Sequence, residues 1–306
     1  MADVNSGADV AVTEALAADP APAAADDSSG DGVLRKKWGV AFWISAAFVI
    51  GLALAALFAP LLPLDDPEAL AQCPIMQGPS ASHLMGCDDL GRDVFARVIW
   101  GARISLTVGF ASIVFGMLVG GLLGVIAGYV KGAVDKVISF LFLVELSFPA
   151  LILALLITSF ANRTLPTIAL TLGILAIAPI GRLARAVTMQ VAQREYVQAA
   201  RGLGATTNRI LRAEILPNVI MPMFALALLA VALAIVAEGA LAYLGLSVKE
   251  GISWGKIIAA GTEGDRLKQG AHVAFGAIGV LFATVLSLNY IGDRIRERLE
   301  VREVSL

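Results

Sequence analysis

Six runs of apolar residues, each about as long as a bilayer's hydrocarbon core is thick, constrain this chain more than any motif in it. They are Trp38 to Leu62, about Ile104 to Tyr129, about Val137 to Phe160, about Leu165 to Leu183, about Val219 to Leu246, and about Ala271 to Ile291. A core of ~30 Å needs about 20 helical residues at about 1.5 Å each, so every run is long enough to span. Backbone polar groups in lipid must be satisfied within the segment, which makes helices the expected state, and the period-two pattern of a membrane barrel is absent. The expected fold class is an all-α integral membrane protein with six transmembrane helices. Composition agrees, with 58% hydrophobic and 16% charged residues against about 45–50% and about 25% in ordinary soluble domains.

The segments between the runs set the orientation. Residues 1–34 carry Asp3, Asp9, Glu14, Asp19, Asp26, Asp27 and Asp31 with no Lys or Arg, and read as a disordered acidic tail without the positive region of a signal peptide. Residues 35–62 are then an uncleaved first span. With the N-terminus in the cytoplasm, the inner segments hold Arg35, Lys36, Lys37, Lys131, Lys136, Arg182, Arg185, Arg194, Arg201, Arg209, Arg212, Arg294, Arg296, Arg298 and Arg302, fifteen of the 23 basic residues. The positive-inside rule therefore places both termini in the cytoplasm of a multi-pass cell-membrane protein. Residues 63–103 become an extracytoplasmic loop, 104–292 a transmembrane core with a cytoplasmic loop at 186–218, and 293–306 a cytoplasmic tail.

That outer loop holds Arg92, Arg97 and Arg103 beside Asp88, Asp89 and Asp93. Its apolar Val94, Phe95, Val98 and Ile99 suit either an interfacial helix or an amphipathic lead-in to the second span. Cys73 and Cys87, the chain's two cysteines, both fall in this oxidising compartment, so a disulfide is expected between them. A metal site there is disfavoured because His83 alone lies near them.

A polar stretch of two dozen residues, "EYVQAARGLGATTNRILRAEILPN" from Glu195 to Asn218, interrupts the apolar second half on the cytoplasmic side. Tyr196, Ala199, Ala200 and Leu203 recur at spacings of three, four and seven, which predicts a short helix with one small-residue face. Gly202 and Gly204 end it. A second amphipathic run, Asn208 to Leu216, leads to Pro217 at the entrance of the fifth span. Taken alone, this stretch reads either as a solvated connection or as a docking helix for a cytoplasmic partner.

Within the runs, Gly116, Gly120, Gly124 and Gly128 recur every four residues on one face, the spacing that lets membrane helices approach closely, and read as packing rather than a ligand site. Pro149 and Pro179 permit kinks in the third and fourth spans. Glu145 and Glu238 are carboxylates in apolar surroundings, where each must be paired, protonated or facing water. Glu238 is read as structural or path-lining, and the role of Glu145 stays open.

The polar stretch resembles the EAA loop of bacterial ABC importer permeases, in which Glu-Ala-Ala is followed after three residues by Gly and after nine more by Ile-x-Leu-Pro. Here Ala199 and Ala200 precede Gly204, and Glu214, Ile215, Leu216 and Pro217 follow at the matching spacing, with Gln198 and Glu214 departing from the pattern. The variant "EYVQAARGLGA", with Glu-Tyr-Val ahead of Ala-Ala-Arg, resembles the peptide and nickel branch. "MGCDDLGRDVFARVIWGARISLTVG", with Cys87 where Thr is usual, "GGLLGVIAGYVKGAVD", "FPALILAL", "EGALAYLGL" with "SWG", and "LNYIGDRIRERLEVR" resemble further segments of the C-type permease subunit of dipeptide, oligopeptide and nickel importers.

The resemblance implies a type I ABC importer permease for short peptides, with nickel or another small substrate as the alternative. It implies a second, B-type permease subunit, two ATPase subunits and an extracytoplasmic substrate-binding protein as partners, with membrane lipids around the chain and no nucleic acid. Glu195, Tyr196, Gln198, Ala199, Ala200, Arg201, Gly204, Leu216 and Pro217 would couple it to the ATPase subunits. No Gly-x4-Gly-Lys-Ser/Thr, His-Glu-x-x-His or Gly-x-Ser-x-Gly pattern occurs, so no cofactor and no catalysis are expected of this chain, with ATP and Mg in the partner subunits. A proton-coupled secondary transporter using Glu145 or Glu238 is the competing reading, though the halves show no inverted repeat.

Overall fold

The computed structural model describes residues 38–304, with side chains to 298, and the described residues from 39 on form one compact unit. The acidic tail at 1–34 and the basic triplet Arg35, Lys36 and Lys37 lie outside the described residues. All named elements are helices. Helix α1 is Val40–Leu57, α2 is Val94–Val130, α3 Gly132–Leu146, α4 Ala150–Phe160, α5 Leu165–Leu175, α6 Ile177–Val191, α7 Glu195–Gly202, α8 Thr207–Tyr243, α9 Trp254–Thr262 and α10 Ala271–Val304. Four of them, α1, α2, α8 and α10, are long and apolar enough to cross a membrane alone, and α3–α4 and α5–α6 are bent pairs, which makes six spans when each pair is counted as one.

The spans differ from six straight rods for identifiable reasons. The third run breaks by 81° between α3 and α4. Pro149 caps α4 with extended ψ, and its ring disfavours helical geometry at Phe148, so the helix stops ahead of it. The fourth run bends by 44° at Ala176, between α5 and α6. Pro179 sits in the first turn of α6, where backbone N–H groups lack intrahelical acceptors, so its missing donor costs little. α6 also runs on past Leu183 to Val191.

Two expected boundaries dissolve into longer helices. α2 begins at Val94, inside the segment read as loop, and Asp93 caps it by accepting from the Ala96 N–H at 2.7 Å. The run from Val94 to Ile99 is thus the lead-in to the second span and not a separate interfacial helix. Likewise Asn208 to Leu216 and the fifth span are one helix, with a wide π turn at Ile210–Ile215 immediately before Pro217. Such a turn relieves the clash and the lost hydrogen bond that proline imposes on a tight helix.

Glycine holds the core together. A Cβ on Gly116, Gly120, Gly124 or Gly128 would fall within 3.0 Å of Ala176, Ile177, Gly181 or Arg185 respectively. The backbones of α2 and the α5–α6 pair therefore touch along this face. The central core, including Val98, Leu106, Ile113, Val231, Ile235, Trp254 and Leu288, joins α2, α8, α9 and α10. Large apolar side chains also point outward, among them Trp43, Phe140, Ile152, Leu233 and Phe282, as expected of helices whose solvent is lipid.

The outer segment between α1 and α2 is itself built. Cys73 and Cys87 are joined by a disulfide with their Cα atoms 6.3 Å apart. Asp88 is its hub, accepting from the N–H groups of Leu90 and Arg92 at 2.9 and 3.0 Å and pairing with the Arg92 guanidinium at 2.7 Å. Arg97 donates to the Pro67 carbonyl at 2.9 Å, and Arg266 pairs with Asp89 at 2.8 Å. His83 has a ring nitrogen within 4.8 Å of both sulfurs, while its Nδ1 lies 3.2 Å from Asp93.

Candidate functional site

Helix α7 stands apart from the spans. Glu195 opens it and Arg201 lies in its last turn, the charge order that a helix dipole favours. It closes on Gly204 at φ +81°, with the Ala205 N–H reaching back to Ala200 at 3.1 Å. Only a residue that tolerates left-handed geometry serves there. The Gln198 side chain donates to the Ala192 carbonyl at 3.0 Å and ties the helix to the end of α6.

One side of α7 is an anchor and the other is open. Val197 is fully buried and belongs to the same core as Ile210, Ile215 and Val219, with half-buried Ala200 packed against it. Ala199 and Tyr196 are exposed, and Leu203 is 89% exposed. The expected small-residue face is thus split, with Ala200 turned toward the core and Tyr196, Ala199 and Leu203 outward. Arg201 lies over the Tyr129 ring at 5.7 Å, a contact between α7 and the end of α2. Leu216 and Pro217 are exposed on α8 and are not part of the α7 face.

Both intramembrane carboxylates have partners. Glu145, half-buried at the end of α3, accepts from the Ala178 N–H at 3.2 Å. It caps the first turn of α6, where an anion is favoured and a donor would otherwise be orphaned. Glu238 is fully buried on α8 and accepts from the Ser105 hydroxyl at 3.1 Å and the Ser247 hydroxyl at 2.6 Å. Ser105 in turn accepts from the Trp254 N–H at 3.2 Å, and the Trp254 indole donates to Val98 at 2.9 Å. This polar knot ties α2, α8 and α9 at one point.

Some of the site residues escaped the sequence reading. Val197, which anchors α7, and Tyr129, which seats Arg201, were not singled out there, whereas Leu203 was named with the short helix's face. Asp135 forms a bidentate pair with Arg185, its Oδ2 2.7 Å from Nη2, between the start of α3 and α6. Those partners are fifty positions apart, and no local spacing announces them.

Six apolar spans, two of them bent, with one short anchored helix outside them, define the membrane-embedded component of a transport machine. The fold is that of type I ABC importer permeases: a chain of a structure titled for inward-facing conformations of the MetNI methionine ABC transporter superposes with a TM-score of 0.56 at 19% identity, over 67% of this chain and 97% of that one. The chain belongs to the family described as "Binding-protein-dependent transport system inner membrane component", which it matches over residues 120–303. It is 34% identical over 260 residues, 84% of each chain, to the dipeptide transport system permease protein DppC of Alkalihalophilus pseudofirmus. The oligopeptide transport system permease protein OppC of Bacillus subtilis is 31% identical, covering 88% of both chains. The glutathione transport system permease protein GsiD of Pectobacterium atrosepticum is 30% identical, covering 87% of this chain and 88% of its own. The chain is accordingly an inner-membrane permease component and not a catalytic subunit, and the proton-coupled alternative gives way.

Proposed function

We propose that this chain is a permease subunit of an ATP-driven importer of short peptides, and that α7 is its contact with an ATPase subunit. The observation that carries the coupling role is the division of α7 into a buried anchor at Val197 and an outward face of Tyr196, Ala199 and Leu203. A side chain as apolar and as exposed as Leu203, at the cytoplasmic end of a permease, fits a groove on a partner better than water. The peptide substrate is supported by the names of relatives that transport dipeptides, oligopeptides and glutathione.

In this reading a second permease subunit completes the path, two ATPase subunits bind ATP and Mg, and an extracytoplasmic protein delivers the peptide. Closure of the ATPase pair would displace α7. Because α7 is tied to α2 through Arg201 and Tyr129 and to α8 through the core under Val197, the spans would move with it as a rigid body. ATP supplies the bias by binding the closed pair more tightly.

The test is peptide-stimulated ATP turnover of the assembled importer carrying Ala199→Arg, which adds bulk and charge to the open face without touching Val197. Loss of stimulation with normal membrane insertion is expected. Normal stimulation would sink the coupling role. Ala199→Arg is a cleaner probe than Gly204→Glu, since Gly204 holds a left-handed backbone whose loss would also disturb the helix end.

A further inference from the structure

Eight basic residues fall outside the cytoplasmic set: Arg92, Arg97, Arg103, Arg163, Lys249, Lys256, Arg266 and Lys268. Cations on that side run against the positive-inside bias and call for a reason. Four have one locally, since Arg92 and Arg97 face Asp88, Arg266 pairs with Asp89 and Glu263, and Lys268 pairs with Asp265. Three of the other four, Arg163, Lys249 and Lys256, line a single open pocket of about 270 Å³ together with Gly245, Ser247 and Val248. Among the described residues no carboxylate pairs with any of the three.

Backbone carbonyls hold two of the three cations, and the main chain of the third, Lys249, is tied to the segment of the first. Arg163, between α4 and α5, donates to the Gly245 carbonyl, and its own carbonyl accepts the Lys249 N–H at 2.8 Å. Lys256, on α9, donates to the Lys249 and Gly251 carbonyls at 3.1 and 2.8 Å. Beneath them Ser247 hands its hydroxyl to Glu238, whose two oxygens are thereby both engaged. Burial lowers the Lys256 pKa against the opposing pull of Glu238, and Arg163 adds to the lowering. An ammonium in that position is short of counter-charge.

We propose that Arg163, Lys249 and Lys256 form an oxyanion site that receives the terminal carboxylate of the transported peptide. This rests on the peptide reading above and on the cytoplasmic placement of both termini. A terminal carboxylate is the anion that every free short peptide carries whatever its side chains. Recognition of it by planar and point-charge donors selects the class without selecting a sequence.

The complete importer in proteoliposomes of zwitterionic lipid tests it by comparing ATP-driven uptake of a dipeptide with that of its C-terminal amide. In Lys249→Gln, uptake of the free acid falls about tenfold or more while uptake of the amide is unchanged, and Lys249→Arg restores the acid. Equal loss of both, or no loss of the acid, overturns the site. A wild-type importer that moves neither peptide overturns the peptide reading instead, and the pocket is then read separately. For that, Lys249 is labelled with an amine reagent in the full chain in zwitterionic nanodiscs, with and without sodium acetate. Protection by acetate supports a carboxylate pocket, and absence of protection overturns it. Protection only when phosphatidylglycerol replaces the zwitterionic lipid assigns the cations to a headgroup and overturns the substrate role.

Discussion

The Arg201 guanidinium lies over the Tyr129 ring at 5.7 Å, and this contact links α7 directly to the end of α2. A cation over an aromatic face contributes about 0.5–2 kcal/mol, enough to transmit a displacement but too little to fold the helix, which Val197 anchors. Tyr129→Ala is therefore expected to leave the protein inserted and α7 docked, while lowering peptide transported per ATP hydrolysed several-fold. Tyr129→Phe should retain the ratio. An unchanged ratio in Tyr129→Ala would remove this contact from the coupling route.

Glu238 is a positioning residue whose carboxylate collects two hydroxyls and, through Ser105, the start of α9. Removing it strands buried donors, at about 1–3 kcal/mol for each unsatisfied group. Glu238→Ala should lower the thermal unfolding midpoint in detergent by several degrees, and Glu238→Gln, which still accepts, should lower it much less. Ser247→Ala should fall between them. Equal midpoints for Gln and Ala would show that the hydrogen bonds are not what the side chain contributes.

The glycines of α2 offer a contrast within one helix. A Cβ at Gly124 would meet the backbone of Gly181 and Arg185 and the Cβ of Ala184, whereas a Cβ at Gly121 meets nothing within 4 Å. Overpacking costs about 1–3 kcal/mol or more where backbone cannot give way. Gly124→Val is expected to destabilise the purified protein markedly and Gly121→Ala to leave it unchanged, as read by thermal aggregation in detergent. Similar midpoints for the two variants would contradict close packing of α2 on α6.

The bridge between Cys73 and Cys87 closes a short loop in the outer segment. Closure of about 15 residues contributes ~3 kcal/mol in the chain-entropy model. Peptide mapping by mass spectrometry without reductant should find the two cysteines linked, and Cys73→Ser should make the loop more sensitive to protease. Two free thiols in protein purified from membranes would refute the bond.

The features legible in the sequence share a physical property: they rest on periodicity or length. Span number follows from how much apolar chain crosses a bilayer, and the Gly116 to Gly128 seam from a repeat of four along one helix face. Gly204 could be named because a helix that ends in left-handed geometry favours a residue without a Cβ. What escaped depends on partners far away in the chain. Pro149 signalled a kink, but the 81° turn also needs α4 to pack back on its neighbour. Glu145 had no readable role because its acceptor function appears only once Ala178, 33 positions on, is brought to it. The Arg163, Lys249 and Lys256 pocket likewise joins the connection between α4 and α5 to the start of α9 and the segment before it, which no local pattern links.

The Asp135–Arg185 pair is another such long-range tie. Two nearly parallel N–H···O contacts join the first turn of α3 to α6, and the Ser139 hydroxyl supports the same carboxylate at 3.0 Å. Both side chains are less than a third exposed, so screening by water is incomplete and the fork geometry of arginine matters. A double-mutant cycle of Asp135→Asn and Arg185→Gln should give a coupling energy within about 0.5–3 kcal/mol. Arg185→Lys keeps the charge but offers a single point contact, and should recover less than half of that coupling. Since α6 leads directly into α7, the same variants should also weaken peptide stimulation of ATP turnover in the assembled importer. Full additivity of the two single changes, in stability and in turnover alike, would show that the pair is only a surface contact between helices that are held together elsewhere.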